Sequence, residues 1–226
     1  MSADPAYETY WRRKELLRRS YPGFPVRRWW ETDGLCDIER IYFDAVREAP
    51  SLLDVGAGDF RVMKKLQAAG YAGEYHTQDV GSEGRYTYRD LSEVNRLYGA
   101  VLCLDVIEHL DLRDGLGLVR RMLQLLAPGG ALVLQTANAA YIPDPRSWDM
   151  THVHVYNAPD LWAFLQCEGM ETTGYRIVLG DRFQSPVVLA RNAIVAYVKR
   201  KVLGADYANN IALVARKSTA PSSPGR

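Results

Sequence analysis

Cysteine is scarce in this chain of 226 residues: Cys36, Cys103 and Cys167 are the only three, and they lie far apart. That spacing excludes a disulfide framework and any CxxC metal knuckle, and it points to reduced thiols in a cytoplasmic protein. Long apolar runs are missing as well. None approaches the ~20 residues of a membrane span, and the polar start Met1-Ser2-Ala3-Asp4 has no signal-peptide character. There is no internal repeat, and the single low-complexity stretch is a Ser/Pro/Gly tail over 218–226, expected to be disordered. Net charge is nearly absent at +1, which conceals a partition. Residues 1–30 carry seven Lys/Arg against three Asp/Glu, residues 182–226 carry eight against one, and the body between them is left at −10. The basic flanks are compatible with an anionic acceptor, with nucleic acid or with plainly solvated faces, the last being the default. What remains, 47% hydrophobic and 24% charged, is ordinary globular composition for one large domain with an elaborated end.

Residues 4–20 read as a basic helix, followed by a Pro/Gly-broken aromatic segment from Tyr21 to Trp30 and a second helix over 36–48, stopped by Pro50. From residue 51 short apolar runs alternate with helical stretches. Strands are expected at Ser51–Val55, Glu74–Asp79, Tyr86–Arg89, Ala100–Leu104 and Ala131–Thr136, with helices at 61–69 and 116–126. Beyond Pro159 come a helix to Cys167, a strand over 174–179, a helix over 186–203 and a strand over 210–215, the last pair forming an antiparallel edge. Strands buried on both faces and separated by helices mean an α/β, doubly wound parallel sheet. The helix over 187–203 is apolar with a cationic end; burial against the sheet is the simpler reading and a membrane surface the other.

The most informative segment is Leu52-Leu53-Asp54-Val55-Gly56-Ala57-Gly58-Asp59-Phe60, which places glycines where the first core strand hands over to a helix. There a missing Cβ admits a ligand to the backbone, and the helix N-terminus offers free N–H groups. A tight strand–helix turn alone would explain them equally well. The dinucleotide fingerprint needs a third glycine at position 61, which is arginine, so a nicotinamide cofactor loses ground. Asp79 lies 21 positions after Gly58 at the end of the next strand, where a carboxylate accepts ribose hydroxyls. Asp90-Leu91 follows the strand after that.

Five segments, LLDVGAGDF (52–60), HTQDV (76–80), RDL (89–91), VLCLDVIEHL (101–110) and LLAPGGALVLQTAN (125–138), together resemble the class I S-adenosylmethionine-dependent methyltransferases over residues 48–180. The resemblance implies a Rossmann-like seven-stranded sheet with an antiparallel last strand and helices on both faces. It also implies cofactor contacts: Gly56 and Gly58 at the methionine moiety, Asp54 ordering the loop and Asp79 at the ribose. Asp90 and Leu91 would meet the adenine, and Leu104 and Asp105 the methionine end. Phe60 stands where many members carry another glycine. Residues 1–50 would form a helical, aromatic lid on a methyltransferase domain over 51–217. Methyl transfer to oxygen of a sugar-like or aromatic small molecule is the implied activity; a non-catalytic cofactor-binding scaffold is the alternative.

The segment Asp149-Met150-Thr151-His152-Val153-His154-Val155-Tyr156 resembles the D-x-T-H motif of bacterial methyltransferases in glycan and small-molecule pathways. His152 and His109 are candidate bases for the acceptor hydroxyl, and His154, Trp29 and Trp30 candidate acceptor contacts. A histidine that merely holds a loop is the bland alternative. Asp105-Val106-Ile107-Glu108-His109 resembles the E-x-x-E-H segment of metal-dependent members, among them RNA 3′-end 2′-O-methyltransferases. Asp105, Glu108, His109 and His152 would then hold Mg²⁺ or Mn²⁺, an RNA acceptor being the lesser possibility.

Overall fold

The computed structural model describes residues 9–81, 84–180 and 185–219. Tyr7, the start of the basic helix and most of the Ser/Pro/Gly tail therefore lie outside the described residues. Helix α1 (Tyr10–Ser20) leads into a short strand β1 (Val26–Trp29), then α2 (Asp37–Val46), β2 (Ser51–Val55), α3 (Arg61–Ala68) and β3 (Glu74–Gln78). They are followed by β4 (Tyr98–Leu104), α4 (Leu112–Gln124), β5 (Leu126–Ala137), α5 (Ala158–Cys167), β6 (Met170–Leu179), α6 (Pro186–Lys201) and β7 (Asn210–Lys217). The seven strands form one sheet in the order β1-β6-β7-β5-β4-β2-β3. Strand β7 runs antiparallel to both β5 and β6, and the other pairings are parallel.

Two of the seven places differ from the sequence expectation. Tyr86–Arg89 is not a strand; it makes one bridge, Tyr88 to Gln78. That bridge is made by Tyr88 N–H donating to the Thr77 carbonyl (3.0 Å) and Asp79 N–H to the Tyr88 carbonyl (3.3 Å), and beside it Thr77 N–H donates to Thr87 Oγ1 (3.1 Å) and Thr87 N–H to Thr77 Oγ1 (3.2 Å). Its place in the count is taken at the opposite edge by β1, paired with β6 from Val26–Arg176 to Trp29–Leu179. The chain up to residue 50 thus shares a sheet with the rest. The last pair is antiparallel as expected, with β7 between β5 and β6, but β1 takes the edge beyond β6.

Each face of the sheet has its own core. On one, Leu52, Leu102, Val133 and Val214 pack against Ile38 and Tyr42 of α2 and Leu66 of α3. On the other, Leu53, Val101, Leu134 and Leu213 meet Val119 and Met122 of α4 and Phe164 of α5. Helix α4 begins four residues earlier than its apolar pattern suggests, because Asp111 caps it by accepting from Asp114 N–H (2.8 Å). Gly115 lies inside that helix for a packing reason: an added Cβ would sit 2.1 Å from the Tyr156 hydroxyl. Helix α1 lies on α5, with Arg12 donating to the Cys167 carbonyl (3.1 Å) and Lys14 paired with Asp160 (3.4 Å).

Candidate active site

All the parallel strands end at one edge, and β2 stands where the chain turns to β3 on one side and β4 on the other. Ligands bind at such a switch point because the loops diverge there and leave a crevice. Two cavities open in it, meeting at Gly56 and Asp105. The smaller, ≈130 Å³, is walled by Trp29, Tyr42, Asp54, Gly58, Arg61 and Leu104. The larger, ≈730 Å³, is walled by Asp79, Asp90, Leu91, Val106, His109 and Arg121. Every cofactor residue expected from the sequence lines one or both.

The glycine loop between β2 and α3 takes left-handed backbone at Gly56 (φ +75°) and Gly58 (φ +50°). At Gly56 a Cβ would lie 2.2 Å from Val106 Cγ2, whereas at Gly58 the nearest atom is 4.0 Å away. The first glycine is therefore required by close packing, while the second leaves an open cradle for a ligand. Asp79 holds the loop from across the crevice, Oδ2 accepting from Gly58 N–H (2.9 Å) and Oδ1 from Gly81 N–H (2.7 Å). Phe60, at the N-cap of α3, adopts φ +62° in place of a glycine. Its ring lies 5.1 Å from that of Tyr86, whose hydroxyl donates to the Gly58 carbonyl (2.9 Å), and these contacts offset the backbone strain.

Beneath the loop Asp54 accepts from the Tyr75 hydroxyl (2.7 Å), and burial pushes its carboxyl up to about 6 despite that bond. Asp105 also has positive φ (56°). Its two oxygens accept from Gln135 Nε2 (2.6 Å) and Asn210 Nδ2 (3.1 Å), and Gln135 in turn accepts from the Tyr42 hydroxyl (2.5 Å). Burial raises the Asp105 carboxyl, opposed first by the Gln135 hydrogen bond and then by the Arg61 charge. Asp90 caps the short 3₁₀ turn Leu91–Glu93 by accepting from Ser92 N–H (2.7 Å), which lowers its carboxyl.

The histidines come together across 43 residues of sequence, with the His109 and His152 rings 5.0 Å apart. The Glu108 carbonyl makes this possible by accepting from Val153 N–H (2.8 Å) and His154 N–H (3.1 Å), tying that loop to the end of β4. His152 Nδ1 lies 3.0 Å from the Pro145 carbonyl, which can only accept. His109 Nδ1 lies 2.8 Å from Thr151 Oγ1, whose one proton goes to Asp149 (2.7 Å). Both imidazoles therefore donate from Nδ1, and in the neutral ring that leaves the Nε2 lone pair free. One ligating atom each from Glu108, His109 and His152 falls within 4.8 Å of the others. Asp105, also expected in that set, is outside it and engaged by Gln135 and Asn210. The Glu108 carboxylate accepts from Thr136 Oγ1 (2.9 Å), and burial first, then Asp105, pushes its carboxyl up to about 7.

Three expected acceptor contacts are dispersed. His154 meets Tyr156 edge to face (4.8 Å) and lines neither cavity. Strand alternation separates the tryptophans: Trp29 faces the smaller cavity, with Arg61 5.6 Å over its ring, while Trp30 joins Val26 and Arg28 in a groove under α6. Tyr21 and Phe24 pack on the body, Tyr21 5.6 Å from Trp162. Arg61 itself escaped the sequence reading, where it counted only as a missing glycine. A cation in the first turn after a glycine loop was the signal available.

A glycine cradle over a parallel-sheet edge, with carboxylates at the following strand ends, defines a nucleoside-cofactor enzyme of the doubly wound class. A family model described as "Methyltransferase domain" matches residues 31–173, more than half of the chain. The chain belongs to that family: it is an S-adenosylmethionine-dependent methyltransferase. Among solved structures it is similar to a SAM-dependent methyltransferase from Archaeoglobus fulgidus, at 15% identity and TM-score 0.61, covering 79% of this chain and 90% of that one. The plantazolicin methyltransferase BpumL in complex with SAH is similar at 13% identity and TM-score 0.53, over 80% and 81%. The [4+2]-cyclase SpnF is similar at 17% identity and TM-score 0.56, over 94% and 95%. No curated protein sequence matches. A cyclase among the neighbours shows that the fold leaves the acceptor chemistry open.

Proposed function

We propose that the enzyme methylates an oxygen of a sugar-like or aromatic small molecule, with His109 taking the acceptor proton and His152 supporting it. The observation that carries this reading is the imidazole pair with both Nδ1 atoms occupied, His109 lining the larger cavity beside Asp105. The cofactor supplies a methyl group on a cationic sulfonium, and transfer to the acceptor oxygen returns the C–S electron pair to sulfur. The chain's task is alignment and proton removal. Asp79 would accept the ribose hydroxyls, Asp90 and Leu91 would bracket the adenine, and the Gly56–Gly58 backbone, Leu104 and Asp105 would border the methionine end. Arg61 would face its carboxylate. Trp29 and Leu35 wall the smaller cavity beside Arg61 and would cover the methionine end, Trp29 being the part of the aromatic segment suited to a lid.

A second reading is favoured by the Glu108–His109–His152 cluster. One carboxylate and two imidazoles suit Mn²⁺ or Mg²⁺, which would lower the acceptor hydroxyl's pKa in place of a base. Turnover on a panel of hydroxylated acceptors tests both. His109→Ala is expected to lower kcat by 10²–10⁴-fold, the usual span for a lost general base, with S-adenosylhomocysteine affinity unchanged. Activity lost to chelation and restored by Mn²⁺ would favour the ion instead. Full activity in both His109→Ala and His152→Ala would remove the pair from the chemistry.

A further inference from the structure

Helix α6 exposes aliphatic and aromatic side chains around most of its circumference. Its inward stripe, half-buried, is Val188, Asn192, Ala196 and Lys199, two of them polar. Its outward side carries Val187, Ile194 and Val198, with Val202 at the C-cap, exposed by 78%, 64%, 40% and 70%, and Arg191 stands among them. No residue of the helix is buried, so burial against the sheet, the simpler sequence expectation, does not occur. The helix meets instead the end of the β1–β6 edge, where Val26, Arg28, Trp30 and Val178 leave a groove beneath it. A helix apolar on its outer side calls for an apolar surface to cover it.

Charge says what kind of surface. Residues 185–205 contain Arg191, Lys199, Arg200 and Lys201 and no acid. The groove behind α6, ≈450 Å³, adds Arg28 and Trp30, whose indole N–H is buried without an acceptor. Lys199 ties the helix to the loop that carries His152, donating to the Ile142 carbonyl (2.6 Å) and lying 4.1 Å over the Tyr141 ring. In that loop Ile142, Trp148 and Val153 are exposed, and Met150 is 99% exposed. Apolar surface therefore extends from α6, where cations flank it, to the rim of the histidine pair, where the loop also carries Asp144, paired with Arg146, and Asp149, which accepts from Thr151.

We propose that α6 and the 142–153 loop dock the enzyme on an anionic lipid bilayer. The aliphatic stripe enters the boundary of headgroups and acyl chains, and Arg191, Arg200 and Lys201 meet the phosphates. Self-association through α6 is disfavoured because two copies would bring like charges together with no acid on the helix to offset them. The consequence for the acceptor rests on the proposed function: docking by this face presents His109 and His152 to a lipid-linked hydroxyl compound.

The test is co-sedimentation of the full chain with phosphatidylglycerol/phosphatidylcholine vesicles and with phosphatidylcholine alone. Binding to the anionic vesicles is expected, weakening with salt and by about fivefold for each cation removed in Arg200→Gln and Lys201→Gln. Ile194→Glu/Val198→Glu should lower partitioning more than tenfold. These side chains are exposed, so each variant should keep its Tm and S-adenosylhomocysteine affinity. Docking is overturned if the wild type stays in the supernatant, if the variants bind equally, or if an acidic polypeptide is preferred to the vesicles. A dimer that Ile194→Glu converts to monomer would equally overturn it, by making α6 a self-interface. Cofactor affinity is read on the same samples, so vesicle binding without turnover on any hydroxyl acceptor leaves docking standing and removes only the acceptor reading.

Discussion

Asp79→Ala removes the one carboxylate that both secures the glycine loop and faces the expected ribose position. Its Oδ2 takes the Gly58 N–H at 2.9 Å and its Oδ1 the Gly81 N–H at 2.7 Å, so the side chain is fixed before any cofactor arrives. A hydrogen bond to a charged group is worth ~1.5–3 kcal/mol, which converts to a weakening of about 10–150-fold in Kd. Isothermal titration with S-adenosylhomocysteine measures it. Asp79→Asn keeps an acceptor for Gly58 N–H but lacks the charge and one acceptor oxygen, so its loss should fall between wild type and alanine. Thermal unfolding should change little, since the loop is at the surface of the crevice and the core beneath it is intact. Unchanged affinity in Asp79→Ala, with the protein folded, would refute the placement of the ribose at this strand end.

Asp54 makes folding pH-dependent in a definite direction. With its carboxyl raised to about 6 by burial, the folded state binds the proton more tightly than the unfolded chain, so stability falls as pH rises from about 4 to about 6, by up to ~3 kcal/mol. Asp54→Asn, which keeps an acceptor for Tyr75, should flatten that part of the curve in urea titrations; a curve that stays as steep would place the titration elsewhere. Gly56→Ala meets Val106 Cγ2 at 2.2 Å and should cost ~1–3 kcal/mol, partly recovered in Gly56→Ala/Val106→Ala. Equal stability of the two variants would assign the cost to the backbone alone. Arg61→Met should weaken S-adenosylhomocysteine by up to about fivefold while leaving 5′-methylthioadenosine, which lacks the carboxylate, unaffected. An equal loss for both ligands would show that Arg61 acts only through packing on Trp29.

Local pattern sufficed for much of this protein. The runs Ser51–Val55, Ala100–Leu104 and Ala131–Thr136 are buried on both faces, so their apolarity alone marks them as central strands. The glycines at 56 and 58 and the acids at 54, 79 and 105 were legible for a related reason. A strand-to-helix turn and the ends of neighbouring strands are set by nearby sequence, and a parallel sheet brings those ends to one edge. Pairing over long distance was not legible. Strand β1 has four residues, two of them arginines, and exists because β6, about 150 positions later, offers its free edge. Tyr86–Arg89 has strand composition, yet its pairing stops at one bridge, beyond which the Thr77 and Thr87 hydroxyls take the backbone donors. Only the tertiary structure joined His109 to His152, through backbone bonds to Glu108, and separated Trp29 from Trp30 by the pleat of an unforeseen strand. It also decided α6. An apolar sequence states that a helix prefers to be covered, but where the helix lands depends on the strands it joins, and α6 ends beside the β1–β6 edge over an open groove.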